Sequence, residues 1–162
     1  MNLKKHHKPV MLDECLDFLK VRKSGKYLDC TLGEGGHSTA ILDQLDDEGK
    51  LVSLDYDQEA IDFVKKYYSN EEMYCSNLLN NEWEIIKANF KDIPNVLKNR
   101  KFDGILMDLG MSSRHINIEG RGFSYNSPED QLDMRMNENL KVKASDLLKV
   151  LRVGELSQLF KK

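Results

Sequence analysis

Cysteine is scarce in this chain of 162 residues: Cys15, Cys30 and Cys75 stand far apart and form no C-x-x-C pair. An odd, scattered set argues against a disulfide framework and supplies no zinc-ligand cluster, and it suits a reducing cytoplasm. Long apolar runs are missing too, and none approaches the ~20 residues of a membrane-spanning helix. The N-terminal segment MNLKKHHKPVMLDE is basic but meets Asp13 and Glu14 too early for a signal peptide. Nor is there an excess of positive charge. The net charge of −3 argues against a generally basic, charge-driven nucleic-acid binder, although it leaves room for a local basic face. With 40% apolar and 31% charged residues the chain has the balance of a globular domain able to bury a core. The expectation is a soluble cytoplasmic protein with no membrane partner and no metal.

What the chain does have is alternation. PVMLDECLDFLK (9–20) reads as a helix with Pro9 near its start and Leu12, Cys15, Leu16 and Leu19 on one face. KYLDCTL (26–32) is a short apolar strand, followed by a helix over His37–Leu45. KLVSLDY (50–56) is a second strand, and DQEAIDFVKKYY (57–68) a helix with Ala60, Ile61, Val64 and Tyr68 as its apolar stripe. A polar insertion without clear period fills 69–82. WEIIKANF (83–90) is a third strand, PNVLKNR (94–100) a short helix, and FDGILMDLG (102–110) a fourth strand. Alternation of this kind implies parallel βαβ units: an α/β fold with a doubly wound sheet. Residues 111–140, rich in Gly, Ser, Asn and Arg, read as a long loop, and two short helices near 144–151 and 154–161 follow.

The turn after the first strand carries the chemistry. In a doubly wound sheet it faces the ligand crevice at the carboxyl ends of the strands. Gly33, Gly35 and Gly36 let backbone approach a ligand where a Cβ would clash. A dinucleotide fingerprint starting at Gly33 needs glycine at 38, where Ser38 stands, and a Walker loop needs a lysine that this loop does not contain. Asp55 ends the second strand at about the ~20-residue distance of a ribose-binding acid. A glycine turn, no phosphate lysine and a ribose acid suit S-adenosylmethionine (SAM) better than a dinucleotide. Against this, Asp55 is equally able to cap the next helix, as Asp57 does in the same stretch. Asp108 lies at the end of the fourth strand, beside the first in this topology, where its carboxylate can hold an amino group of SAM or of a base; the plain alternative is a solvated strand-end acid. Phe90 can stack on adenine or fill the core.

Six segments occur in order: HKPVML-E (7–14), LDCTLGEGGHS (28–38), LDYD (54–57), FDGILMDLGMSS (102–113), RGFS (121–124) and LDMRM (132–136). Together they closely resemble the MraW (RsmH) family of bacterial ribosomal RNA cytosine-N4 methyltransferases, over nearly the whole chain. The resemblance implies a Rossmann-like SAM-dependent enzyme that methylates the exocyclic amine of one cytidine in 16S rRNA of the small ribosomal subunit. It places cofactor contacts on Gly35, Gly36, His37, Asp55, Phe90, Asp108 and His115. Where the family reads Ser-Ser-Pro-Gln-Leu-Asp, this chain has Ser112, Ser113, Arg114, His115, Ile116 and Asn117, so histidine takes over from glutamine as the hydrogen-bonding group.

The sulfonium methyl is already activated, so the reaction needs positioning more than acid–base help. Cytosine's amine is a poor nucleophile, and a carboxylate accepting one of its N–H groups would assist; Asp108 is the candidate. The base must leave its stack. Phe123 and Tyr125 would stack on it, and Arg121 and Arg135 would hold phosphates. The bland alternative for both arginines is a loop carboxylate such as Asp133 or Glu129. Residues 1–140 read as the first part of the SAM-binding domain and 141–162 as the start of a helical substrate domain, because fewer strands are readable than a complete sheet of this type contains. Two other readings stay open: a non-catalytic SAM- or RNA-binding remnant, and a methyltransferase acting on a small molecule or protein.

Overall fold

A computed structural model describes residues 9–69, 74, 77, 82–117 and 120–161. Cys75, His7 and most of the polar insertion lie outside the described residues. The chain forms two compact units, one up to Gly110 and one from Met111.

The first unit is a parallel four-stranded sheet. Its strands are β1 (Lys26–Asp29), β2 (Lys50–Asp55), β3 (Trp83–Lys87) and β4 (Gly104–Leu106), in the order β3-β2-β1-β4. Tyr27 stands opposite both Leu51 of β2 and Gly104 of β4, and Leu51 stands opposite Trp83. Alternating side chains serve two faces. Tyr27, Leu51 and Trp83 pack with Ile41, Ile61, Val64 and Tyr68, which come from α2 (Gly36–Leu42) and α3 (Gln58–Tyr68). Leu28, Cys30, Val52 and Leu54 face the other way and meet Leu97, which follows the short α4 (Ile93–Val96). Such two-sided burial explains why β1 and β2 read as continuous apolar runs. Each fully buried Ile or Val of α3 adds roughly 1.5–3 kcal/mol. The expected stripe Ala60, Ile61, Val64 and Tyr68 is the buried face of α3, and Asp57 caps it by accepting from the Glu59 amide. Burial, with the Asp29 carboxyl next in effect, pushes the Cys30 thiol up to about 11.

Most elements are shorter than the sequence suggests. α1 begins only at Leu12, because Met11 adopts a left-handed conformation, and its half-buried Leu12, Cys15, Leu16 and Leu19 form the inner face. α2 stops at Leu42 because Gln44 and Leu45 bond back three residues and tighten the chain into a turn. β4 stops at Leu106 because the Asp108 amide bonds to the Thr31 hydroxyl instead of continuing the ladder. Phe90, expected to end β3, instead opens a 3-10 turn that Asn89 caps by accepting from Lys91.

The second unit contains α5 (Ser113–Asn117), α6 (Ala144–Val150) and α7 (Val153–Phe160). The expected pair of C-terminal helices is present, and neither buries a side chain fully. The amides of Lys143 and Arg152 at their starts donate to Asp146 and Glu155. Irregular backbone between α5 and α6 is held by its own polar contacts. Gly122 has φ +70°, and a Cβ there would lie 2.3 Å from the Gln131 carbonyl oxygen and 2.6 Å from the Asp133 nitrogen. Only glycine fits that crossing.

Candidate cofactor site

The loop after β1 is organised by two carboxylates at the strand ends. Asp55, at the end of β2, accepts from the Gly33 amide at 2.8 Å through one oxygen and from the Asp57 amide at 2.9 Å through the other. It therefore ties the glycine loop to the start of α3. Burial raises its pKa above the ordinary carboxylate value, and these amides oppose part of that rise. The Tyr56 amide is a further donor to this carboxylate, whose four lone-pair positions still leave room for a ribose hydroxyl. Gly35 has φ +85°, and a Cβ there would lie 2.9 Å from the Tyr68 ring. Above Gly33 the space is open, the nearest atom to a built Cβ being the Thr31 carbonyl oxygen at 3.9 Å.

Asp29, at the end of β1, is fully buried. Its carboxylate accepts from the Thr31 amide at 3.0 Å and from the Ser38 hydroxyl at 2.6 Å. Ser38 also bonds to Ser53 at 2.8 Å, and the Trp83 indole N–H donates to Ser53 at 2.9 Å. One polar chain thus runs from β1 through the first turn of α2 to β2 and β3. Burial pushes the Asp29 carboxyl above its ordinary pKa, with Ser38 opposing.

His37 is buried, with Nε2 at 3.0 Å from the Val10 carbonyl oxygen and Nδ1 at 3.9 Å from Asp108. A carbonyl only accepts, so Nε2 carries a proton and Nδ1 faces the carboxylate. The Asp108 side chain is 45% exposed, and its backbone amide is fixed to Thr31. Phe90 is partly exposed, two residues after Ala88, whose amide bonds to the Asp55 carbonyl. Of the expected cofactor residues, Gly33, Gly35, Gly36, His37, Asp55, Phe90 and Asp108 therefore belong to the first unit, at or just past the carboxyl ends of its strands.

His115 belongs to the second unit. It is buried, its Nδ1 accepts from the Ser112 amide at 3.1 Å, and its ring lies 5.2 Å from that of Phe123. Arg121 is buried as well, donates to the Arg135 carbonyl at 2.9 Å and sits 6.0 Å from the Phe123 ring. Arg135 grips Asp133 through two bonds of 2.6 and 2.8 Å and also reaches the carbonyls of Glu138 and Leu140. That fork holds the Asp133 carboxyl well below the usual carboxylate range. Tyr125 is 99% exposed.

A family model described as the MraW methylase family matches residues 4–162. The chain belongs to that family. It is 39% identical over 157 residues to ribosomal RNA small subunit methyltransferase H of Fusobacterium nucleatum, covering 95% of this chain. The MraW-family chain spans about half (47%) of the length of that curated relative. Among solved structures it is similar to an O-methyltransferase from Bacillus cereus in complex with SAH, at 22% identity and a TM-score of 0.48, over 66% of this chain and 48% of that one. It is likewise similar to a SAM-dependent methyltransferase from Aquifex aeolicus, at 18% identity and a TM-score of 0.46, over 60% and 47%. No helix among the described residues is long and apolar enough to cross a membrane, and no cluster of potential metal ligands occurs among them.

Sequence reasoning missed Asp29 and Ser53 in this MraW-family site. Asp29 sits inside an apolar strand run, and Ser53 inside another. The available signal was Ser38 in place of a third glycine: a hydroxyl at the start of a helix packed on a sheet needs an acceptor, and a strand-end aspartate supplies one.

Proposed function

We propose that this chain is the SAM-binding part of an enzyme that methylates the N4 amine of a cytidine in 16S rRNA of the small ribosomal subunit, in the cytoplasm. The family match over residues 4–162 carries the reading, and the loop geometry supports it. The residues fit SAM: an open, glycine-lined turn without a lysine, an anchored carboxylate at Asp55 and a partly exposed one at Asp108. Asp55 holds the ribose, Phe90 flanks the adenine, and the backbone of Gly33, Gly35 and Gly36 with His37 receives the amino-acid end. His115 contributes a further cofactor contact. When bound, SAM supplies an activated methyl group.

Asp108 accepts a hydrogen bond from the target amine, localising its lone pair, and takes up the proton. The residues that would hold SAM would serve the reaction chiefly by orienting its activated methyl group toward the amine. His37 lies beside Asp108, its Nδ1 3.9 Å from that carboxylate. RNA contacts fall to Arg121, Phe123, Tyr125 and Arg135. The exposed ring of Tyr125 supports stacking on a displaced base; the partners of Arg121 and Arg135 support a stiff loop that presents it. Residues 1–140 then form the cofactor part, and 141–162 open the helical substrate part.

A second reading is a SAM- or RNA-binding remnant without turnover; the chain spans 47% of the length of the curated relative. Calorimetric titration with SAM separates the possibilities. Wild-type chain is expected to bind, and Asp55→Ala to weaken binding at least about tenfold, some 1.4 kcal/mol, while circular dichroism stays unchanged. Transfer of labelled methyl to small ribosomal subunits supports the enzyme; binding without transfer supports the remnant; no binding by the folded chain rejects both.

A further inference from the structure

At the opposite end of the sheet lies a cavity of about 490 Å³. It opens at the amino ends of β1 and β2, and Lys50 there is five residue steps along the six-residue β2 from Asp55 at the cofactor end, about 16 Å. Its wall is apolar, formed by buried Val52 and half-buried Phe102, with Leu51 beside them in β2. Its rim carries Lys26, Lys50, Arg100 and Lys101 against a single carboxylate, Glu84. Arg100 grips that carboxylate with two nitrogens, so Glu84 is already used. Lys26, Lys50 and Lys101 have no ion-pair partner among the described residues.

Lys26 and Lys50 stand directly opposite each other in the parallel ladder, an arrangement that costs stability through like-charge repulsion. Four cations and one carboxylate leave this cavity three positive charges in a chain whose net charge is −3. A ligand that pays back this repulsion must be an anion, and an apolar wall beside the ammonium groups calls for one with a flat apolar part. The Asn99 side-chain amide adds a donor and an acceptor at the rim. The volume lies within the range of small-ligand sites.

We propose that this cavity binds a nucleotide, with its phosphate against Lys26, Lys50 and Lys101 and its base against Val52 and Phe102. The nucleotide is either free or one unit of an RNA chain. The site is separate from the cofactor loop and does not rest on SAM binding.

Fluorescence anisotropy with a labelled single-stranded RNA oligonucleotide, competed with cytidine monophosphate, tests this on the wild-type chain and on a Lys50→Gln, Lys101→Gln double variant. The double variant should bind RNA about tenfold more weakly at low salt, and the slope of log affinity against log salt should shrink by about 0.7, the value for one lost phosphate contact. Competition by the monophosphate identifies a free-nucleotide site, and its absence a site for the RNA chain. Wild-type affinity for both ligands in the double variant, or no binding of either by wild type, overturns the proposal. SAM titration of the same variant should be unchanged, so misfolding, failure of the SAM reading and failure of this site give different results.

Discussion

Asp29 shows what a single residue contributes here. It is a fully buried carboxyl with no lysine or arginine partner among the described residues, kept in place by the Thr31 amide and the Ser38 hydroxyl. Removing the acceptor leaves the part-buried Thr31 amide without this partner and the buried Ser38 hydroxyl with Ser53 alone, which is costlier than the net worth of the bonds themselves. Asp29→Ala should therefore lower stability by about 3 kcal/mol in urea unfolding, whereas Asp29→Asn, which keeps an acceptor, should cost about 1 kcal/mol or less. Equal losses in the two variants would remove the hydrogen-bonding explanation. Asp55 was legible because it ends an apolar strand ~20 residues past the glycine turn, and Asp108 because it closes an apolar run before Gly110. Asp29 was not, because its partner Ser38 is nine positions away and only the folding of α2 onto β1 brings them together.

The elements were legible where one face is buried and obscure where side chains compete with the backbone. The stripe on α3 sets that helix, and apolar runs set β1 and β2. The carboxyl end of β4 was over-read because a threonine hydroxyl intercepts the Asp108 amide, an event with no period in sequence. The crossing at Gly122 was likewise hidden: RGFS and LDMRM look like separate motifs, yet Met134 donates to the Arg121 carbonyl and the backbone at 131–133 lies against Gly122. Gly122→Ala combines a left-handed backbone with a collision against main chain and should cost roughly 3 kcal/mol or more. Gly120→Ala, at φ +84° with nothing within 4 Å, carries the strain alone and should cost about 1 kcal/mol. Hydrogen exchange of the amides at 131–134 would report the difference, and equal protection in both variants would count against the crossing.

Across the whole molecule, acid acts on the two units with opposite sign. In the first, Asp29 and Asp55 have raised pKa values, so the folded unit holds protons to a higher pH than the unfolded chain, whose aspartates titrate near ~3.9. Their contribution is largest below that value and declines as pH rises through the folded pKa values. In the second, Asp133 is depressed, so its contribution is present above ~3.9 and is lost as pH falls through its folded pKa. Hydrogen exchange over a pH series from mildly to strongly acidic should show protection of β1 and β2 holding while that of 133–145 falls. Asp133→Asn should flatten the second trend and leave the first alone; parallel trends in both units would contradict the assignment. Trp83 adds an optical consequence. It is the chain's sole tryptophan, buried on β3 with its indole bonded to Ser53, which in turn meets Ser38 beside the glycine loop. Its emission therefore comes from one position, and through two hydroxyls it is wired to the glycine turn proposed for the cofactor, so the wild-type chain carries a built-in fluorescent dye for that loop.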